Sequence, residues 1–252
     1  MQPAINSSAR RGLIDESSRK SALQAIRISN FQKIIQNLQQ LRPKGGHLLE
    51  VGCAHGWFLG LASQYFGVVG LEPDRGIYQS SDYQGNRVQM GYFPDALAAT
   101  EMFDVIVFND VIEHIPDIQK TIIDCRMHLT PGGLLALNLP SSQGIFYRLS
   151  KWLAKMGFPG SFNRMWQEGL PSPHVHYLNL DNTRAMLERN GFTVRLHRNL
   201  PALSLRGLWG RLTYTGDTHP IISAAMFVAI VAAYPALRLL PADIMFVVAE
   251  RQ

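Results

Sequence analysis

Four short runs carry the side chains best placed to do chemistry. Glu50-Val51-Gly52-Cys53-Ala54-His55-Gly56 joins an apolar run to a helical stretch and has small residues at alternate positions. Small side chains let a ligand lie against the backbone, and the N-terminus of the following helix presents unpaired N–H groups. Glu72 stands 22 residues beyond Glu50, at the end of the next apolar run. In a doubly wound sheet that position borders the crevice beside the first turn, where a carboxylate can hold two ribose hydroxyls. Asp110, Glu113 and His114 share one face if their segment is helical. Two carboxylates and an imidazole so placed could take a divalent metal with open positions, or His114 could deprotonate a hydroxyl, or the trio could be a structural cap. His174 and His176 alternate in an extended segment: they either reach an acceptor together or lie on one side through strand geometry alone.

Two cofactors suit the first turn. Dinucleotides need G-x-G-x-x-G, because the pyrophosphate approaches the helix end closely. Here the pattern is Gly52-x-Ala54-x-Gly56 with Phe58 beyond, and the third glycine is misplaced. S-adenosylmethionine has no phosphate and carries a sulfonium cation, which fits the acidic block around this turn.

The elements that must position these groups can be read from apolar periodicity. A helix starts near the Ser21–Gln24 capping box, continues through Leu23, Ile26, Phe31, Ile34, Ile35, Leu38 and Leu41, and ends at Pro43, Gly45 and Gly46. Apolar strands follow at 48–51, 68–72, 103–109 and 134–139, the last introduced by a Pro131-Gly132-Gly133 turn. Helices are predicted over about 57–65, 118–129 and 181–189, the last stopped by Asn190-Gly191, with final strands at 192–196 and 244–249. Continuous apolar strands alternating with helices imply an α/β fold, a doubly wound and mainly parallel sheet covered on both faces.

The chain has 252 residues, 46% of them hydrophobic and 17% charged, which suits one elaborated domain or two small ones and excludes a disordered, collagenous or polytopic membrane protein. Cys53 and Cys125 are too few for a disulfide scaffold or a thiolate zinc site. No apolar signal segment follows the basic N-terminal residues, so a cytoplasmic protein is expected. The net charge of +5 is unevenly spread: residues 46–140 carry four Lys/Arg against eleven Asp/Glu, whereas 141–215 carry ten against three. That distribution argues against a nucleic-acid partner.

The ordered motifs Glu50–Gly56, Gly70-Leu71-Glu72-Pro73-Asp74, Phe103–Asp117 and Leu129-Thr130-Pro131-Gly132-Gly133 resemble those of class I S-adenosylmethionine-dependent methyltransferases, and within them the branch of the ubiquinone-biosynthesis O-methyltransferases. The likeness covers residues 46–140 and extends to His174-Val175-His176-Tyr177-Leu178 and Leu187-Glu188-Arg189-Asn190-Gly191-Phe192. It implies a Rossmann-like, seven-stranded sheet and a set of cofactor contacts: Glu50, Gly52, Cys53, Ala54 and Gly56 around the methionyl part, Glu72 on the ribose, Pro73 along the adenine, Asn109 and Asp110 below the cofactor, and Tyr92 and Phe93 beside the adenine. Ala54 stands where a glycine is commoner. The resemblance also associates the Asp110-x-x-Glu113-His114 step with a metal, though the relatives have Glu at the first position. Catalysis would fall to His114, His174 and His176.

The reading that follows is S-adenosylmethionine-dependent methyl transfer, to oxygen of a small acceptor that is apolar or lipid-linked. An NAD-linked oxidoreductase and a non-catalytic, membrane-associated S-adenosylmethionine-binding protein are the alternatives. Residues 1–20 read as a flexible N-terminus and 21–252 as a single domain, with a basic, aromatic lid over 141–178 and an apolar insertion over 199–242. Ile221–Leu237 is uncharged but interrupted by Pro235, too short and broken for a membrane span. It suits a cover for an apolar acceptor, a homodimer face or an interfacial anchor on the inner face of a membrane, with a plain buried helix as the bland alternative.

Overall fold

The apolar runs pair as strands of one sheet: β1 (His47–Val51), β2 (Gly67–Glu72), β3 (Arg87–Met90), β4 (Phe103–Asn109), β5 (Leu129–Pro140), β6 (Phe192–Leu200) and β7 (Ile244–Arg251). This is a computed structural model and describes residues 16–169, 172–202, 205, 208–213, 220–237 and 239–252. The strand order is β3-β2-β1-β4-β5-β7-β6, parallel except for β7, which runs antiparallel to both neighbours.

Alternate side chains of each central strand supply two cores. Leu49, Val51, Leu71, Ile106, Phe108, Leu135, Leu137 and Val247 belong to one, and Leu48, Val105, Val107, Leu134, Ala136, Phe246 and Val248 to the other. That is the arrangement a strand covered on both faces must have, and it explains why these segments read as unbroken apolar runs. Helix α1 (Glu16–Leu41) contributes Phe31, Ile34, Ile35 and Leu38 to the second core, beside Phe58 of α2 (Trp57–Ala62). α3 (Arg75–Ser80) follows β2, and its first turn is capped by Asp74, which accepts from the Ile77 N–H at 2.9 Å. α4 (Ile118–His128), capped by Asp117, places Ile122 and Cys125 in the first core. α5 (Ile145–Lys155), α6 (Gly160–Met165) and α7 (Leu180–Arg189) come next, and α7 adds Leu187 to the first core. Asn190 and Gly191 end α7, with Gly191 at φ +76°.

Several boundaries differ from those expected. α1 starts at Glu16, so residues 16–20 are helical; residues 1–15 lie outside the described residues. β3 and α3 went unread, because β3 is a short edge strand with no apolar run to announce it. β5 begins at Leu129 and carries the Pro131-Gly132-Gly133 segment within it.

The chain separates into two compact bodies. One comprises Phe31–Pro201 and Pro241–Gln252 and holds the whole sheet; the other comprises Met1–Asn30 and Ala202–Leu240. The second contains α8 (Leu208–Thr213) and α9 (Pro220–Leu237), where the Trp209 ring meets Phe227 edge-on at 5.8 Å. The apolar insertion thus contains two helices, and 202–240 groups with the start of α1. None of the described helices is long and apolar enough to cross a membrane.

Candidate functional site

The carboxyl ends of β1, β2, β4 and β5 define the site. Parallel pairing sets Leu71 of β2 beside Val51, Val107 of β4 beside Glu50, and Asn138 of β5 beside Asn109. Crevices at this edge are where open α/β sheets bind ligands. After β1 the chain must turn at once. Gly52 and Gly56 take φ of +70° and +71°, and Ala54 takes +46°, a left-handed conformation that costs a residue with a Cβ about 1–2 kcal/mol. A Cβ on Gly52 would stand 2.7 Å from Val111 Cγ2, so only glycine fits beneath that residue.

Glu72 organises the turn. Its Oε2 accepts from the Ala54 N–H and its Oε1 from the Asp74 N–H, both at 2.8 Å. Each oxygen retains a lone pair, so the carboxylate is oriented without being used up. Burial raises its pKa above the usual carboxylate value.

Glu50 is more deeply placed. Asn109 Nδ2 donates to its Oε1 at 2.8 Å, while its Oε2 is buried with no donor among the described residues. Burial pushes its pKa up to about 8, with the nearby Glu72 adding a smaller rise. Asn109 Oδ1 and Asn138 Oδ1 are likewise buried without a donor. Three acceptors left open along adjacent strand ends form a cradle for a ligand that brings donors and positive charge. Buried acceptors of this kind cost about 1–3 kcal/mol each until they are paired. The ammonium and sulfonium of S-adenosylmethionine have that character, and the residues fit the cofactor.

Other expected contacts fall differently. Cys53 is buried, and its Sγ would lie 2.8 Å from a Cβ on Gly70, so it packs under β2. The half-buried Phe93 ring meets Phe108 at 6.0 Å and His128 at 5.8 Å. Pro73 is half-buried and Tyr92 is exposed.

The Asp110–Glu113–His114 trio does not assemble as a helical face. Asp110 sits at φ +55° and the segment tightens into a 3₁₀ turn (Ile112–His114), so the i, i+3, i+4 relation fails. His174 takes the place expected for Asp110: Glu113, His114 and His174 can each offer one ligand atom, all within 4.8 Å of one another. The connection is built by backbone, since the Val175 and His176 N–H groups both donate to the Glu113 carbonyl, at 2.8 and 3.1 Å. His114 Nδ1 lies 3.0 Å from the Pro173 carbonyl. A carbonyl only accepts, so Nδ1 carries a proton, and in the neutral ring Nε2 is then the atom with the lone pair. His176 Nε2 is tied in the same way to the Pro116 carbonyl at 3.1 Å, which makes this ring an anchor for its segment.

His174 is enclosed by aromatic rings, with His114 at 4.7 Å and Tyr177 at 5.4 Å; Trp166 meets Tyr177 at 5.0 Å and Tyr147 meets it at 4.5 Å. Burial, reinforced by His114, lowers its pKa to about 4, so the ring is neutral at pH 7. Its Nε2 is 4.0 Å from Glu113, a contact between a carboxyl and a neutral ring.

The 141–178 segment holds this wall in place. Its two ends meet where Ser142 N–H donates to the Leu178 carbonyl at 2.7 Å. The start of α5 is capped by Asp243, which accepts from the Phe146 and Tyr147 N–H groups at 2.9 and 3.2 Å. The sequence reading gave Tyr147, Trp166, Tyr177 and Asp243 no role in the site. The aromatic composition of 141–178 was visible, but nothing local announces a cap supplied from almost a hundred residues away.

A mostly parallel seven-stranded sheet with a glycine turn after β1 and a carboxylate after β2 defines the class I methyltransferase architecture. Solved structures share it: a possible histamine N-methyltransferase from Thermotoga maritima (11% identity, TM-score 0.60, covering 94% of this chain and 95% of that one) and a cyclopropane synthase from Mycobacterium tuberculosis (18%, 0.57, 86% and 84%). At such identities the likeness is one of fold. A methyltransferase-domain family model matches residues 23–197, and the chain belongs to the S-adenosylmethionine-dependent methyltransferases. It is similar to curated ubiquinone biosynthesis O-methyltransferases of Rickettsia typhi (22% identity over 160 residues, 60% of this chain and 65% of that one) and Coxiella burnetii (28% over 104 residues, 38% and 44%). The chain thus spans less than two thirds of the length of these relatives.

Proposed function

We propose that the protein methylates a hydroxyl oxygen of a small acceptor, with His114 as the base. The observation that carries this reading is the fixed tautomer of His114. Its Nδ1 proton is held by the Pro173 carbonyl, which makes Nε2 the nitrogen that can take a proton, within a cluster that also contains Glu113 and the neutral His174. The 3₁₀ turn bearing His114 begins one residue after Val111, whose side chain lies over Gly52, so the base follows directly on the cofactor turn. As the acceptor oxygen attacks the methyl carbon, the C–S bond breaks with its electrons returning to sulfur, and His114 takes the hydroxyl proton. The sulfonium needs no further activation, so most of the protein's contribution is positioning. The names of the curated relatives support oxygen as the atom methylated.

Glu113, His114 and His174 are also a donor set suited to a divalent ion, with His174 in the place expected for Asp110. A bound ion would supply Lewis acidity toward the hydroxyl.

The test is transfer of labelled methyl from S-adenosylmethionine to a panel of catechols, phenols and quinols. His114→Ala should lower kcat by about 10²–10⁴, the usual worth of a general base, with S-adenosylhomocysteine affinity unchanged. A wild-type kcat in His114→Ala, with or without a chelator, would overturn the assignment.

A further inference from the structure

The sheet-bearing body has a cavity of about 790 Å³ walled by the first part of the 141–178 segment, Tyr177 and Pro241. Its lining includes Arg148, Lys151 and Lys155 from α5, together with Tyr147, Trp152 and Tyr177, and among the described residues no carboxylate. The three cations stand at i, i+3 and i+7 of one helix, on a single face that spans two turns. None of the three forms an ion pair with any described residue, although like charges so close together repel. Nearby cations on a helix ordinarily find carboxylates, as Lys120 does with Asp124 at 2.6 Å.

A neighbouring strip of α5 is apolar and open to solvent: Phe146, Leu149, Trp152 and Met156 are all exposed. Basic and apolar strips therefore run side by side along one helix and share Trp152. Tyr177 forms part of the cavity wall and also contacts His174, so the cavity backs directly onto the Glu113–His114–His174 cluster.

We propose that this cavity binds a phosphate or diphosphate group borne by an apolar chain, with Arg148, Lys151 and Lys155 on the phosphate oxygens and the exposed strip of α5 along the chain. Spacing over two helical turns suits an anion carrying more than one charge, and the Arg148 guanidinium can grip two phosphate oxygens at once. A monocarboxylate would leave at least one cation unneutralised. That this phosphate belongs to the methyl acceptor rests on the function proposed above; that the cavity holds a phosphate does not.

Calorimetry on the full chain distinguishes the cases, using inorganic diphosphate, a short-chain phosphatidic acid below its micellar concentration, and the matching diacylglycerol without phosphate. Phosphatidic acid should bind more tightly than diphosphate, the diacylglycerol should not bind, and affinity for both anions should fall with added salt. Arg148→Gln/Lys151→Gln should weaken both anions at least tenfold, through the loss of charge-assisted hydrogen bonds. S-adenosylhomocysteine affinity, measured on the same samples, should not move, which shows that the variant is folded. Diphosphate binding alone, lost in the double variant, would overturn the apolar-chain part of the proposal and identify a soluble phosphate as the ligand. Binding of neither anion, or binding unaffected by the double variant, would overturn the proposal. Loss of S-adenosylhomocysteine binding by the wild type would instead count against the reading of the methyl-transfer site and leave the anion result standing.

Discussion

Glu50 and Glu72 sit at the ends of adjacent strands, yet their chemistry differs because only one has its oxygens satisfied. Glu72 receives two backbone N–H bonds, whereas Glu50 Oε2 has no donor among the described residues and its carboxyl is raised to about 8. At pH 7 the free protein therefore holds Glu50 mostly protonated. A cationic ligand would pull its pKa down and expel the proton. Calorimetry of S-adenosylmethionine binding at pH 7 should then show proton release in buffers of different ionisation enthalpy, and Glu50→Gln should abolish it. The same shift fixes a sign for stability. A carboxyl whose folded pKa exceeds its unfolded value binds extra protons in the native state, so its contribution is complete below about 4.5 and is lost as pH rises through about 8. Thermal unfolding of the free protein should weaken across that window, and Glu50→Gln should flatten the slope. Glu72→Ala removes the group that both orients Ala54 and Asp74 and is proposed to hold the ribose. Affinity for S-adenosylhomocysteine should drop at least tenfold, from the loss of charge-assisted bonds worth about 1.5–3 kcal/mol each; unchanged affinity would contradict the role.

At the scale of elements, the aromatic wall around His174 depends on how α5 is started. Its first N–H groups are served by Asp243, from the approach to β7, and Gly144 is required where a Cβ would fall 2.2 Å from Asp243 Oδ1. Removal of such a cap costs about 1 kcal/mol of local stability. Asp243→Ala should therefore speed amide hydrogen exchange in α5 several-fold while β4 and β5 remain protected, a pattern readable by mass spectrometry. Uniform loss of protection would mean that Asp243 supports the whole sheet instead. The 3₁₀ turn at Ile112–His114 shows the same principle from the other side. A helical reading of 110–114 places Asp110, Glu113 and His114 together, but the left-handed Asp110 ends that relation. The third member comes from the 172–178 return, fastened to the Glu113 carbonyl.

For the molecule as a whole, the open question is what meets α9. The helix is uncharged from Pro220 to Leu237, with Ile221, Ile222, Met226 and Val228 exposed, and Arg211 and Arg238 flank it in sequence. Exposed apolar surface of this extent marks a contact surface. We propose that α9, with basic residues flanking it in sequence and Trp209 packed against Phe227, meets a lipid surface. Vesicles containing anionic lipid should carry the protein in flotation, and Met226→Ser/Phe227→Ser/Ile230→Ser should release it without shifting the unfolding transition of the sheet-bearing body. Flotation unaffected by these changes would remove α9 from any such role.

The sequence by itself determined the sheet and the cofactor edge. The buried strands are long apolar runs because both faces of the sheet are covered, and the turn after β1 declares itself through Gly52 and Gly56, whose positive φ excludes most other residues. Such signals are local: each depends on a run of neighbours, and a linear reading can find it. β3 escaped because an edge strand needs no apolar run. Only the tertiary structure decided which histidine stands beside Glu113, where α5 finds its cap, and that 202–240 groups with the start of α1. These relations join residues tens to more than a hundred positions apart. Their energy lies in pairings between backbone groups and side chains that bear no mark of one another until the chain has folded.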